Sequence, residues 1–118
     1  MSKDINNFMI SDNFNLREFA CPCCQLVKIE LYLINCLQAL RFALKEPIRV
    51  TSGYRCIKHN KAVGGMTDSR HIQGRAVDVL LKSCDDISII KLARKIGFKY
   101  CYYEPVKCFY HLDIGDEA

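Results

Sequence analysis

A chain of 118 residues with a net charge of +4 and half of its residues apolar can fill one hydrophobic core and is too short for two. Its basic residues are dispersed, which disfavours a nucleic-acid surface built as a dense Lys/Arg stripe with interleaved aromatics. No apolar run approaches the roughly 20 residues that cross a bilayer, and the polar stretch from Met1 to Phe14 carries no apolar signal segment. The expectation is a single domain, 1–118, made in the cytoplasm, with no nucleic-acid or membrane partner.

Asn15 is placed to cap a short turn over Leu16, Arg17, Glu18 and Phe19, ending before Pro22. A long helix is predicted from about Lys28 to Lys45. Its apolar residues Ile29, Leu33, Cys36, Leu37, Leu40 and Leu44 recur at helical spacing, and Pro47 stops it. Ile48 to Thr51 reads as a short β-branched strand. After the Ser52-Gly53 turn, a helix is predicted from Tyr54 to about Ala62, ended by Gly64-Gly65. Arg75 to Leu81 alternates as a strand, with Ala76, Asp78 and Leu80 on one face and Val77, Val79 and Leu81 on the other. Asp85 or Asp86 caps a helix to Ile96, and Gly97 ends it. Two final strands, Lys99 to Tyr103 and Phe109 to Ile114, are joined too tightly for a parallel crossover. These elements predict an α+β domain with a mainly antiparallel sheet flanked by helices.

Eight cysteines would suggest disulfides in a secreted chain. Without a secretion signal they read as reduced thiols acting as small buried hydrophobes. Cys36 lies on the apolar helix face, and Cys101 and Cys108 lie in segments that read as strands. Cys21-Pro22-Cys23-Cys24 could be half of a structural zinc site. No second close pair or nearby histidine completes four ligands, so a packed turn is the favoured reading.

Chemistry concentrates elsewhere. Asp78 sits mid-strand between Ala76 and Leu80 on its own face. A carboxylate buried there needs a cation or a cluster of donors, because leaving it unpaired costs several kcal/mol in practice. A half-exposed strand with Asp78 facing water is the plain alternative. His111 shares a strand face with Phe109 and Asp113, and His71 lies in a loop that Gly74 can fold back towards Asp78. Two imidazoles and one carboxylate make a three-ligand set that leaves a fourth zinc position open. Arg55, just after the Ser-Gly turn, presents a planar fork suited to a carbonyl or carboxylate. Its alternative is a surface ion pair with Asp68 or Asp85.

In order, Thr51-Ser52-Gly53-Tyr54-Arg55, Asn60, Val63-Gly64-Gly65, Ser69-x-His71-x-x-Gly74-x-Ala76-x-Asp78 and His111-Leu112-Asp113 resemble the zinc D,D-carboxypeptidase family. That family includes D-alanyl-D-alanine carboxypeptidases, vancomycin-resistance dipeptidases and phage endolysins, and its fold is shared with the hedgehog signalling domain. Phe14-x-x-x-Glu18-Phe19 is similar to the start of its small single-domain branch, and the resemblance spans roughly residues 14 to 115.

The resemblance implies one zinc ion per chain, held by His71, Asp78 and His111, with Arg55 stabilising the oxyanion. It places Tyr54 and Ser69 near substrate and gives Asp113 the task of orienting a ligand or Arg55. Positions 108 and 109, where family members carry a glutamate or a histidine, hold Cys108 and Phe109. Glu104, in Tyr102-Tyr103-Glu104, is then the candidate general base, and its alternative is an exposed turn residue before Pro105. The implied activity is zinc-dependent hydrolysis of a bacterial cell-wall stem peptide or D-amino-acid dipeptide, at a D-Ala-D-Ala or L-Ala-D-Glu bond. A chain without a leader would reach the wall by phage-type release. The rival readings are a non-catalytic zinc-binding module of the same fold, or a phage structural component that binds wall peptides.

Overall fold

A computed structural model describes residues 5–82 and 85–116. The expectations for Met1 to Asp4 and for Cys84 lie outside the described residues. The fold is α+β: a four-stranded antiparallel sheet in the order β1-β2-β4-β3, flanked by helices. The strands are β1 (Arg49–Ser52), β2 (Ala76–Leu80), β3 (Tyr100–Glu104) and β4 (Phe109–Asp113), and the helices are α1 (Leu31–Leu44), α2 (Ile57–Ala62) and α3 (Asp86–Ile96). No helix among the described residues is long and apolar enough to cross a membrane.

One face of the two central strands builds the core. Val77 and Val79 of β2 join Tyr110 and Leu112 of β4 and Ile114 beyond it. Leu33, Leu37 and Leu40 of α1 and Ile89 and Ala93 of α3 complete the same cluster. Phe14, just before the 3-10 turn Leu16–Phe19, and Phe19, its last residue, also belong to it. Asn15 and Glu18 form a reciprocal capping box around that turn, each side chain accepting from the other residue's backbone N–H. With one face of β2 and β4 committed to the core, period-two alternation sends Asp78, His111 and Asp113 to the other. Asp78 and His111 are direct partners across the β2–β4 ladder.

Two helix starts differ from the expectation because tertiary hydrogen bonds take the backbone first. Helix α1 begins at Leu31 rather than near Lys28, since Glu30 is still extended and its N–H donates to the Gly74 carbonyl at 2.9 Å. Helix α2 begins at Ile57 rather than Tyr54. The Tyr54 N–H goes to Phe19 at 2.8 Å and the Arg55 N–H to His71 at 3.2 Å, so neither residue joins a helical ladder. Cys108 is in the turn before β4, exposed and at φ 59°, with its thiol on the Pro105 carbonyl. Cys23 and Cys24 are exposed as well. Burial as a small hydrophobe therefore holds for Cys36 and Cys101 and fails for Cys108, while Cys23 and Cys24 belong to the turn set apart from that reading.

Gly74 connects this framework to the site. Its φ is +73°, and a Cβ there would collide with the Lys28 carbonyl. Gly74→Ala is expected to destabilise the protein by about 2 kcal/mol or more, combining the left-handed penalty with overpacking. Urea denaturation measures this, and a midpoint equal to the parent's would refute the close approach.

Candidate metal centre

Asp78 is the hub. It is buried, and its Oδ1 lies 2.9 Å from His111 Nδ1 and 3.3 Å from His71 Nε2. Its Oδ2 accepts from Arg55 Nη2 at 3.3 Å. The half-exposed alternative for Asp78 is thereby replaced by a buried carboxylate with three partners. Burial works against its charged form, but the hydrogen bonds from His111 and His71 outweigh it and hold its pKa at about 2.

Each histidine is oriented from behind. His71 Nδ1 is 2.8 Å from the Gly53 carbonyl, an acceptor only, so Nδ1 carries a proton and Nε2 is the nitrogen turned to Asp78. His111 is turned the other way. Its Nε2 meets Asp113 Oδ2 at 3.0 Å, leaving Nδ1 towards Asp78. Burial lowers the His111 pKa, yet hydrogen bonds to Asp113 and Asp78 prevail and raise it to about 9. Asp113 is fixed in turn by the Gly115 N–H at 2.7 Å and Arg70 Nη1 at 3.4 Å.

The donor set fits a small divalent cation. One ligand atom each from His71, Asp78 and His111 lie within 4.8 Å of one another. A tetrahedral ion with N and O ligands near 2.0–2.1 Å needs ligand atoms about 3.4 Å apart, close to the spacings seen. The carboxylate backing of His111 and the carbonyl backing of His71 are what metal-binding imidazoles require.

The group opens on one side into a cleft of about 320 Å³ whose walls include Arg55, Asp68, Ser69, Arg70, Tyr102 and Phe109. Tyr102 stacks on the His111 ring, with centroids 4.9 Å apart and planes 20° from parallel. Arg55 is held by Ser52 Oγ on Nε (3.1 Å), Asn60 Oδ1 on Nη1 (3.1 Å) and Asp78 on Nη2. One N–H on each terminal nitrogen remains for the cleft. Its carboxylate partner is Asp78, not the Asp68 or Asp85 considered from spacing.

Ser69 also lines the cleft, and its Oγ accepts the His71 N–H at 3.2 Å, which tightens the loop carrying that ligand. Tyr54 is not among the cleft-lining residues. Burial, followed by the nearby Cys56, Cys24 and Cys21 thiols, pushes its phenol pKa up. Glu104 is committed elsewhere too. Its Oε2 and Oε1 accept the Val106 and Lys107 N–H groups at 2.9 and 3.0 Å, closing the β3–β4 turn. It takes the turn role that was its alternative, and the cleft lining does not include it.

Arg70 carries no signal in the sequence, Asp68 stands there only as a possible partner of Arg55, and Tyr102 only as a neighbour of Glu104, yet all three line the cleft. Asn60, part of the ordered motif but without a role in it, is the bracket between Arg55 and the Met66 carbonyl at 2.8 Å.

Comparison with known proteins fits this geometry. Residues 12–113 match the family described as peptidase M15. Over 63 residues, 52% of this chain, the sequence is 40% identical to the zinc D-Ala-D-Ala carboxypeptidase of Streptomyces albus G. That stretch is 25% of the relative, so the chain spans about a quarter of the curated protein it matches. Because the match runs from before the capped 3-10 turn to the end of β4, with the loop of His71 and both ligand-bearing strands inside it, the chain belongs to the peptidase M15 family.

Proposed function

We propose that this chain is a zinc-dependent peptidase acting on cell-wall stem peptides, at a D-Ala-D-Ala or L-Ala-D-Glu bond, and that it works as a single peptidase domain. The observation that carries the reading is the meeting of His71 Nε2, Asp78 Oδ1 and His111 Nδ1 beside an open cleft. The name of the Streptomyces albus G relative supports both the metal and the substrate class. These three atoms would hold one zinc ion per chain. Bound there, zinc supplies the Lewis acidity that polarises a carbonyl and activates water near neutral pH.

The protein's own groups do the rest. The two N–H groups of Arg55 that face the cleft meet charge developing on the carbonyl oxygen. Asp113 holds His111 Nε2–H, and Ser69 and the Gly53 carbonyl hold His71, so neither imidazole reorients during turnover. Of the three carboxylates in the cleft wall, Asp78 and Asp113 are held by the histidines and arginines, and Asp68 is our candidate to take and return a proton. A second hollow of about 350 Å³, with Leu80 and Lys107 in its walls, meets the first at Arg55, Asp78 and Phe109. A peptide occupying both hollows would run past Arg55 and Asp78, which favours cleavage within a peptide over removal of a terminal residue.

The test is release of amino groups from peptidoglycan and from a peptide ending in D-Ala-D-Ala. Release is expected to stop with a chelator and return with zinc. Glu104→Gln is expected to stay within about threefold of the parent, while Asp68→Asn loses on the order of 10²-fold, the size of a general acid–base contribution. Zinc-loaded protein that cuts neither substrate would leave the non-catalytic module, a reading the engagement of Glu104 in its turn favours.

A further inference from the structure

We propose that Cys21, Cys23, Cys24 and Cys56 form a second, closed metal site: a tetrahedral tetrathiolate zinc centre that fastens the N-terminal turn to the segment bearing Arg55. Three of these cysteines are contiguous in sequence apart from Pro22, and the fourth comes from the start of α2. One sulfur from each lies within 4.8 Å of the others. The Cys21–Cys23, Cys21–Cys56 and Cys23–Cys56 sulfurs are 3.6, 3.7 and 3.3 Å apart. Zinc–sulfur bonds of about 2.3 Å at tetrahedral angles require sulfur separations near 3.8 Å, whereas a disulfide requires about 2.05 Å. The cluster has the first spacing and not the second.

Packing does not account for it. Cys23 and Cys24 are exposed and gain nothing as hydrophobes, and thiol-to-thiol hydrogen bonds are too weak to gather sulfurs from two chain segments. Backbone amides point at the sulfurs as they do at metal thiolates. The Cys56 N–H approaches Cys21 Sγ at 3.5 Å, and the His59 N–H approaches Cys56 Sγ at 3.3 Å. The turn is drawn tight around the first ligand: Gln25 N–H donates to the Cys21 carbonyl at 2.8 Å with Gln25 at φ 68°, and Cys21 N–H donates to Leu26 at 2.7 Å.

Four protein ligands leave no open coordination position, so the site is structural rather than catalytic. Its place explains its use. Cys56 directly follows Arg55, and Tyr54 N–H is bonded to the Phe19 carbonyl two residues before Cys21. An ion there pins the backbone on which the Arg55 fork is mounted, independently of any ion on His71, Asp78 and His111.

The test is metal content and the cobalt spectrum of the whole chain. Elemental analysis is expected to find two zinc ions per chain in the parent, one in His71→Ala and one in the Cys23→Ser/Cys24→Ser double variant. The double variant changes exposed ligands, so its fold is spared apart from the metal. Cobalt-substituted protein is expected to show intense thiolate-to-cobalt charge-transfer bands, retained in His71→Ala and lost in the double variant. Those bands in His71→Ala support the cysteine site even where the histidine site takes no metal. A parent holding a single ion that vanishes in His71→Ala, a cobalt form without sulfur bands, iron in place of zinc, or a Cys23–Cys56 disulfide by mass spectrometry would each overturn the proposal.

Discussion

Asp78→Asn is expected to empty the histidine–aspartate site and to lower peptide hydrolysis by on the order of 10³-fold or more. The amide keeps the shape of the carboxylate but gives up its charge, and a neutral oxygen is a poor zinc ligand beside two imidazoles. Metal Lewis acidity contributes several kcal/mol to such a reaction, and each ~1.4 kcal/mol is a factor of ten. Asp78 is also the shared acceptor for His71, His111 and Arg55, so the asparagine leaves all three groups without their common counter-charge. Asparagine retains the volume that alanine would lose, which keeps the β2–β4 ladder filled. The checks are zinc per chain against the parent, turnover on the stem peptide, and circular dichroism for the fold. An Asp78→Asn protein with full zinc content and near-parent turnover would remove the central ligand from the mechanism.

Arg55→Lys is expected to keep its zinc and lose about 10²- to 10³-fold in kcat/KM, the usual consequence of deleting one preorganised donor for developing negative charge. Lysine preserves the charge near Asp78 but not the fork. Three directions of the guanidinium are spent on Ser52, Asn60 and Asp78, and that bracing aims the remaining N–H groups into the cleft. A lysine ammonium has no plane to brace and settles on Asp78 alone. The loss should fall mainly on kcat, because the donor is needed most when the oxygen becomes charged. Parent-like kcat/KM in Arg55→Lys would reduce Arg55 to a partner of Asp78.

How much of the site was legible follows from how each residue is placed. Asp78 and His111 lie on strands, where alternation and a core-facing set of valines, tyrosine and leucine leave them one direction to point. His71 was readable as a loop residue folding back at Gly74, and the positive φ there is what permits it. Glu104 shows the opposite case. Its position on β3 agrees with the face of His111, since Glu104 pairs with Phe109 in the ladder. The adjoining turn offers two backbone N–H groups nearer than anything in the cleft, and a strand period carries no information about that competition.

The amino-acid order by itself determined the α+β class, the capped turn at Asn15, the core stripe of α1 and the faces of β2 and β4, because these follow from local chemistry and from periods of 3.6 and 2. Only the tertiary structure decided that Arg55 braces against Asp78, that the Tyr54 N–H pairs with the Phe19 carbonyl, and that Cys56 completes the group begun at Cys21. Each of those contacts joins segments more than twenty residues apart, and which partner a side chain meets across such a distance is settled by how the helices and sheet pack, not by the spacing of residues along one element.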